Sequence, residues 1–150
     1  MSIFKSMNIT SSALTSQRLR MDVISSNIAN IDTTRAKQVD GEWEPYRRKT
    51  VTLSANEGRF ANFLNKAMGK NDVGNGVQVT KINEDTETPF KLVYDPTHPD
   101  ANEDGYVEMP NVDLLKEMVD LISATRSYEA NITVFNANKA MLTKALEIGK

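Results

Sequence analysis

Cysteine is absent from the 150 residues, so disulfides and thiolate metal sites are excluded, and the chain suits an oxidising or a reducing compartment equally. Histidine occurs once, at His98, which removes His-based catalytic triads and multi-histidine metal sites; between Pro96 and Pro99 it reads as a loop residue. Aromatic residues make up only 7% of the chain and hydrophobic residues 39%, so any core is lean and burial is expected to depend partly on partners. Neither sign of charge dominates: 18 basic and 20 acidic side chains in mixed order leave a formal charge of -2, which argues against an electrostatic nucleic-acid binder. Long apolar runs are missing as well, and no stretch approaches a membrane span. Met1 to Ser16 is broken repeatedly by Ser, Thr and Asn where a secretory signal peptide needs an unbroken apolar run, so export, if it occurs, is expected without a cleaved signal. No nucleophile with a base, no phosphate-cradling Gly loop and no paired buried carboxylates can be assembled at recognisable spacing. The chain is therefore read as a non-enzyme with no cofactor and no small-molecule substrate.

The breakers that are present fall in one place. Every Pro, and every Gly except Gly149, lies between Gly41 and Pro110, which leaves both ends free to be helical. At the N-terminus Ile3, Met7, Thr10, Leu14, Gln17, Met21, Ile24, Ile28 and Ile31 step by four and three alternately, the seam of a coiled-coil-like helix. At the C-terminus Leu114, Met118, Leu121, Thr125, Tyr128, Ile132, Phe135, Lys139, Leu142 and Leu146 repeat that step. Pro110 followed by Asn111 offers an N-cap for the second helix, with Asp113 and Glu117 placing negative charge at its positive dipole end. The pattern predicts an α+β chain. Two long terminal helices, 1–31 and 111–150, pair as an antiparallel coiled coil around an inserted, partly β middle, 32–110.

Within that middle, Arg47 to Leu53, Gly76 to Ile82, Phe90 to Tyr94 and Tyr106 to Met109 carry β-formers in partial alternation. Phe60, Phe63, Leu64, Ala67 and Met68 fit a short amphipathic helix ending near Gly69, with 69–76 as a connection. Asp100, Asn102, Asp104 and Gly105 match the first half of a calcium loop, but position twelve is Asn111 instead of Glu and no helix enters it. The segment reads as an acidic turn between strands, and no metal site is assigned. Arg47, Arg48 and Lys49 form a basic run that meets an acidic neighbour in an assembly or else stays solvated.

The N-terminal helix is unusual in its outer face, since from Ile3 to Ile31 the charged residues are Lys5, Arg18, Arg20 and Asp22 alone. Much of the rest is Ser, Thr and Asn, mediocre helix formers whose small side chains let helices approach closely. Ordering 29 such residues costs about 30 to 60 kcal/mol of backbone entropy, against about 10 to 20 kcal/mol from seven seam side chains. The segment, and with it part of the C-terminal one, is expected to be largely disordered in the free subunit and helical on assembly.

Ser12-Ala13-Leu14 through Gln17-Arg18-Leu19, then Ser25-Ser26-Asn27-Ile28-Ala29-Asn30 and Thr33-Thr34, resemble the N-terminal signature of the flagellar axial proteins. The run from Met118 through Arg126, Tyr128, Glu129 and Asn131 to Phe135-Asn136 and Lys139-Ala140-Met141 resembles their C-terminal one. Arg35 stands after Thr33-Thr34 where hook and distal rod proteins usually carry Gly, and Tyr46-Arg47-Arg48-Lys49 and Leu92 through Gly105-Tyr106-Val107 are similar to proximal rod proteins. The resemblance leaves roughly 54–75 uncovered and marks Ser26, Asn27, Asn30, Arg126, Glu129 and Asn131 as family-motif positions. It implies a structural subunit of the basal-body rod that crosses the periplasm and carries torque. Its partners would be other rod proteins, copies of itself in a helical array and the flagellar type III export apparatus, with no nucleic acid. The alternative is a soluble coiled-coil adaptor that binds one partner helix, which light scattering separates from a polymer because an adaptor saturates at fixed stoichiometry.

Overall fold

The computed structural model describes residues 3–39, 41–56, 67–69 and 74–148. Two long helices close the chain at either end, α1 at Ile3–Ala29 and α2 at Leu114–Ile148, with a strand-containing middle between them, an α+β arrangement. At ~1.5 Å per residue the helices run about 40 and 52 Å. Along α1 the hydroxyls turn back onto their own helix, Thr10 onto Ser6 O at 3.0 Å, Thr15 onto Ser11 O at 3.1 Å and Ser16 onto Ser12 O at 2.9 Å. Such bonds satisfy the hydroxyl and add little to helix stability. Asn30 ends α1: its backbone N–H and its Nδ2 both donate to Ser26 O, at 3.2 and 2.8 Å.

Among the described residues the middle holds three two-stranded ribbons. Strands β1 (Lys37–Val39) and β2 (Glu42–Glu44) are antiparallel, with Gln38 opposite Trp43 and Gly41 at φ +94 in the tight connection. Strand β3 (Lys49–Ala55) pairs with β4 (Val77–Glu84). Strands β5 (Lys91–Tyr94) and β6 (Tyr106–Met109) are antiparallel in the register Lys91 opposite Met109. The first ribbon was not anticipated; the other four strands lie where β-formers alternate. Of the short helix expected at 60–68, Phe60, Phe63 and Leu64 lie outside the described residues, while Ala67 is helical and Gly69 takes φ +69.

Asn111 is not the N-cap of α2. The carboxylate of Asp113 accepts from Leu115 N at 3.0 Å and Lys116 N at 3.4 Å, and Asp113 O receives Glu117 N at 2.9 Å, so the helix begins two residues later than Pro110 suggests. Asn111 is buried instead, accepting Arg48 N at 2.7 Å and donating to Asp85 O and Thr88 O at 3.0 Å each.

Two compact units divide the chain: one made of Met1–Leu19, Thr52–Lys81 and Ala124–Lys150, the other of Arg20–Val51 and Ile82–Ser123. Val23, Ile24, Tyr46, Val107 and Val112 form the apolar core of the second unit, joined there by buried Asn27, Asn111 and Glu117. In the first unit the buried side chains among the described residues are Thr10, Ser16, Ala124 and Asn138.

Candidate assembly site

The side-chain chemistry concentrates where α1 ends, β3 begins and α2 starts, all within the second unit. Asn27, 1% exposed, uses its whole carboxamide: Oδ1 accepts Lys49 N at 2.9 Å and the Tyr46 hydroxyl at 3.0 Å, while Nδ2 donates to Lys49 O and to Glu117 Oε2, both at 2.9 Å. It therefore stands in for a strand partner at the first residue of β3. Glu117, with no exposed surface, receives Arg48 Nε at 2.6 Å on its other oxygen. Arg48 also lies 3.6 Å from Asp120, and Asp120 takes Arg20 at 3.3 Å. Two cations and two carboxylates thus alternate, and the innermost pair is flanked by the Asn27 amide on Glu117 and by Asp120 beside Arg48, the kind of support a buried ion pair needs to be tolerated.

This hub changes the reading of three sequence features. The basic run does not act as one face: Arg48 turns inward to Glu117, the Arg47 guanidinium lies 4.3 Å from the centre of the Phe90 ring, and Lys49 Nζ lies 5.5 Å from that of Tyr46. Glu117 sits in the first turn of α2, as a dipole partner should, but its carboxylate is spent on Arg48 and Asn27. Asn27 and Asn30, both family-motif positions, take different roles, Asn30 capping its helix and Asn27 bridging to β3 and α2 of its own chain. Ser26 Oγ adds a 3.4 Å contact to the Tyr46 hydroxyl.

A second polar cluster holds the acidic turn. Asp100 Oδ1 accepts Arg35 Nε at 2.6 Å and Oδ2 accepts the Thr34 hydroxyl at 2.8 Å, so the best ligand of the half calcium loop is already occupied by the chain itself. Hydrogen bonds from Arg35 and then Thr34 hold the Asp100 carboxyl below its ordinary range, and the hydrogen bond to Asp100, with its charge, raises Arg35 in turn. Gly105 closes the turn at φ +80, where an added β-carbon would meet Tyr94 at 3.0 Å and Pro96 at 3.3 Å.

The seam residues read from periodicity are distributed unevenly. Ile24 is buried, and Met7, Leu14, Met21, Ile28, Ile31, Leu121, Tyr128, Phe135 and Leu142 are half-buried. Leu114, Met118, Ile132 and Leu146 are exposed, and Ile3 carries no described side chain. Of the motif residues on α2, Arg126 and Glu129 form an exposed pair at 2.9 Å, and Asn131 Nδ2 donates to Ser127 O at 2.8 Å. On the first turns of α2, Leu115, Met118, Val119 and Ile122 are 75%, 48%, 67% and 60% exposed. Their spacing of three, one and three residues puts all four on one helix face. No helix among the described residues is long and apolar enough to cross a membrane.

The family model described as "Flagella basal body rod protein" matches residues 7–37, and that described as "Flagellar basal body rod FlgEFG protein C-terminal" matches residues 103–148. The chain is 64% identical over its full length, and that of its relative, to the flagellar basal-body rod protein FlgC of Bacillus subtilis. It is 47% identical to the protein of that name from Borreliella burgdorferi, over 99% of this chain and 98% of the other, and 41% identical to that of Escherichia coli O6:H1 over the whole of both.

Proposed function

The chain belongs to the FlgC family of flagellar basal-body rod proteins, and from that premise we propose that it polymerises by packing its terminal helices against those of neighbouring subunits, forming a helical shaft that transmits motor torque. It is a structural subunit of the rod, located in the flagellar basal body with other rod proteins, and its relatives are named as rod proteins, not as enzymes. The finer reading is that 1–31 and 111–150 make an antiparallel coiled-coil core around the insert 32–110. Support comes from within the second unit, where Arg20 meets Asp120 and Asn27 meets Glu117, the number rising on one helix as it falls on the other. In the first unit Ser6 Oγ accepts Asn138 Nδ2 at 2.9 Å. The shaft would cross the periplasm and include further copies of this chain. Delivery would be by the flagellum's own type III export apparatus, without a cleaved signal.

The observation that carries the packing proposal is the exposed quartet Leu115, Met118, Val119 and Ile122. Four large apolar side chains on one face cost solvation free energy in an isolated subunit, about 25 cal/mol for each Å² left in water, and a neighbouring helix recovers it. Val119→Asp with Ile122→Asp is expected to leave the free subunit's unfolding free energy within about 0.5 kcal/mol of wild type for each change, as surface changes do, while abolishing rods and swimming. Swimming cells with normal basal bodies would refute the role of this face.

A further inference from the structure

Within the second unit, the turn after α1, the β1–β2 ribbon and the start of β3 border a cavity of about 500 Å³. Four cations line it, Arg35, Lys37, Arg47 and Lys49, with two carboxylates, Glu44 and Glu84. Arg35 is bonded to Asp100, a third carboxylate outside the lining, and Glu44, although it stands opposite Lys37 in the ribbon, lies 3.9 Å from Arg47. Four positive charges therefore face three negative ones. The surplus rests with Lys37 and Lys49, which make no ion pair among the described residues; Lys49 is half-buried, with its Nζ 5.5 Å from the centre of the Tyr46 ring. An ammonium partly withdrawn from water without an acceptor gains by taking up an anion, and the buried Pro45 and Tyr46 in the lining strengthen that attraction by excluding water.

The same unit presents an acidic counterpart. Asn102 O accepts Gly105 N at 2.9 Å, which makes Glu103 and Asp104 the corner residues of a β-turn, and Asn102 Oδ1 fixes the turn further by accepting Asp104 N at 3.1 Å and Tyr106 N at 2.8 Å. Both carboxylates are exposed, neither makes an ion pair among the described residues, and neither lines the cavity of its own chain. A turn that is already ordered loses little conformational freedom on docking.

We propose that the cavity at Lys37 and Lys49 is a carboxylate-binding site whose occupant is the Glu103–Asp104 turn of a second copy of this chain. One seated carboxylate balances the surplus charge, and the cavity has the size of a site for a small group, a side chain with its turn of backbone and not a folded element. The identity of the occupant rests on the rod reading above; the binding of a carboxylate does not.

The peptide Ala101–Tyr106 with blocked ends, titrated into the isotope-labelled full-length subunit and followed by NMR amide shifts, tests this. Saturable shifts are expected at Lys37, Tyr46 and Lys49. Glu103→Gln with Asp104→Asn in the peptide, or Lys37→Gln with Lys49→Gln in the subunit, is expected to weaken binding about fivefold or more, as is raising salt from about 0.05 to 0.5 M. The Lys49 side chain can be changed without touching its backbone bonds to Asn27; should the double variant fail to fold, Lys37→Gln alone is read, with an expected loss of about twofold or more. No saturable shift up to about 10 mM peptide, shifts confined to another face, or equal binding by the same residues in scrambled order overturns the site. In cells, Lys37→Glu with Lys49→Glu is expected to stop swimming, and Glu103→Lys with Asp104→Lys added to the same chain to restore it. Normal swimming of the first variant, or no recovery in the second, overturns the second copy as occupant. A subunit that binds no peptide while Val119→Asp with Ile122→Asp still abolishes rods refutes the cavity alone; one that binds it while those changes leave rods intact refutes the packing reading alone.

Discussion

Replacing Arg48 by Met leaves the fully buried Glu117 carboxylate with the Asn27 amide, 2.9 Å away, as the partner remaining to it among the described residues. Removing one member of a buried ion pair costs about 3 to 5 kcal/mol, because the survivor stays desolvated without its counter-charge. Glu117→Ala should cost less, about 2 to 3 kcal/mol, since Arg48 keeps Asp120 at 3.6 Å and 15% of its side chain in solvent. The double variant Arg48→Met/Glu117→Leu removes both charges and fills the space, so it is expected within about 1 kcal/mol of wild type. Asn27 Nδ2 still donates to Lys49 O in that background, so the carboxamide is not stranded. Urea unfolding of the purified subunit, followed by far-ultraviolet circular dichroism, gives the three values, and their non-additivity should exceed about 2 kcal/mol. Single costs below about 1 kcal/mol, or additivity within about 0.5 kcal/mol, would show that the pair is not the hub of the second unit.

Asp113→Ala removes the acceptor of Leu115 N and Lys116 N and is expected to cost about 0.5 to 2 kcal/mol in thermal unfolding, with Asp113→Asn recovering most of it. Gly76→Ala sets a methyl group against Ser12 Oγ at a backbone φ of +100 and is expected to cost about 1 to 3 kcal/mol in urea unfolding of the subunit; an unchanged unfolding free energy would rule out the close approach. Asp100→Asn removes a carboxyl whose affinity for protons is lowered by Arg35 and Thr34, so its stabilising contribution is full above the unfolded-state value of about 4 and is lost as pH falls through the lower folded one. Wild type and Asp100→Asn should therefore differ in thermal midpoint at pH 7 and converge below about pH 4; a difference that persists undiminished at low pH would rule out the carboxylate as its source.

The helices were legible because Gly and Pro are nearly absent from both ends, and four of the six strands among the described residues because β-formers alternate there. The β1–β2 ribbon escaped because its strands are three residues each, although Asp40-Gly41 is a hairpin signal in the sequence. Periodicity was less informative about which side chains the single chain buries. On α2 the apolar seam and the buried or half-buried positions share Leu121, Thr125, Tyr128, Phe135 and Leu142, but that stripe also takes in Glu117, Ala124, Asn131 and Asn138. Those precede by one residue Met118, Thr125, Ile132 and Lys139 of the seam. On α1 Ser16, Val23 and Asn27 likewise precede Gln17, Ile24 and Ile28. A search for apolar residues passes over a stripe built from small and polar ones, since what makes Ala124 or Asn138 buried is the partner it faces and not its own transfer free energy.

The same reasoning explains why a carboxamide and no other group suits position 27. Lys49 presents both an N–H and a C=O there, and Tyr46 and Glu117 present a donor and an acceptor, so the side chain must offer acceptor and donor sites at once. Aspartate offers acceptors alone and would set a second carboxylate beside Glu117, where a like charge in a dry site is repelled strongly. Leucine matches the volume but strands the Lys49 amide and carbonyl, and each buried unpaired group costs about 1 to 3 kcal/mol. Glutamine carries the right atoms one methylene further out, past the 2.9 Å contacts that now close on both oxygen and nitrogen. Asn27 therefore meets a demand set jointly by Tyr46, by Lys49 of β3 and by Glu117 of α2, and none of these shows the demand when read alone.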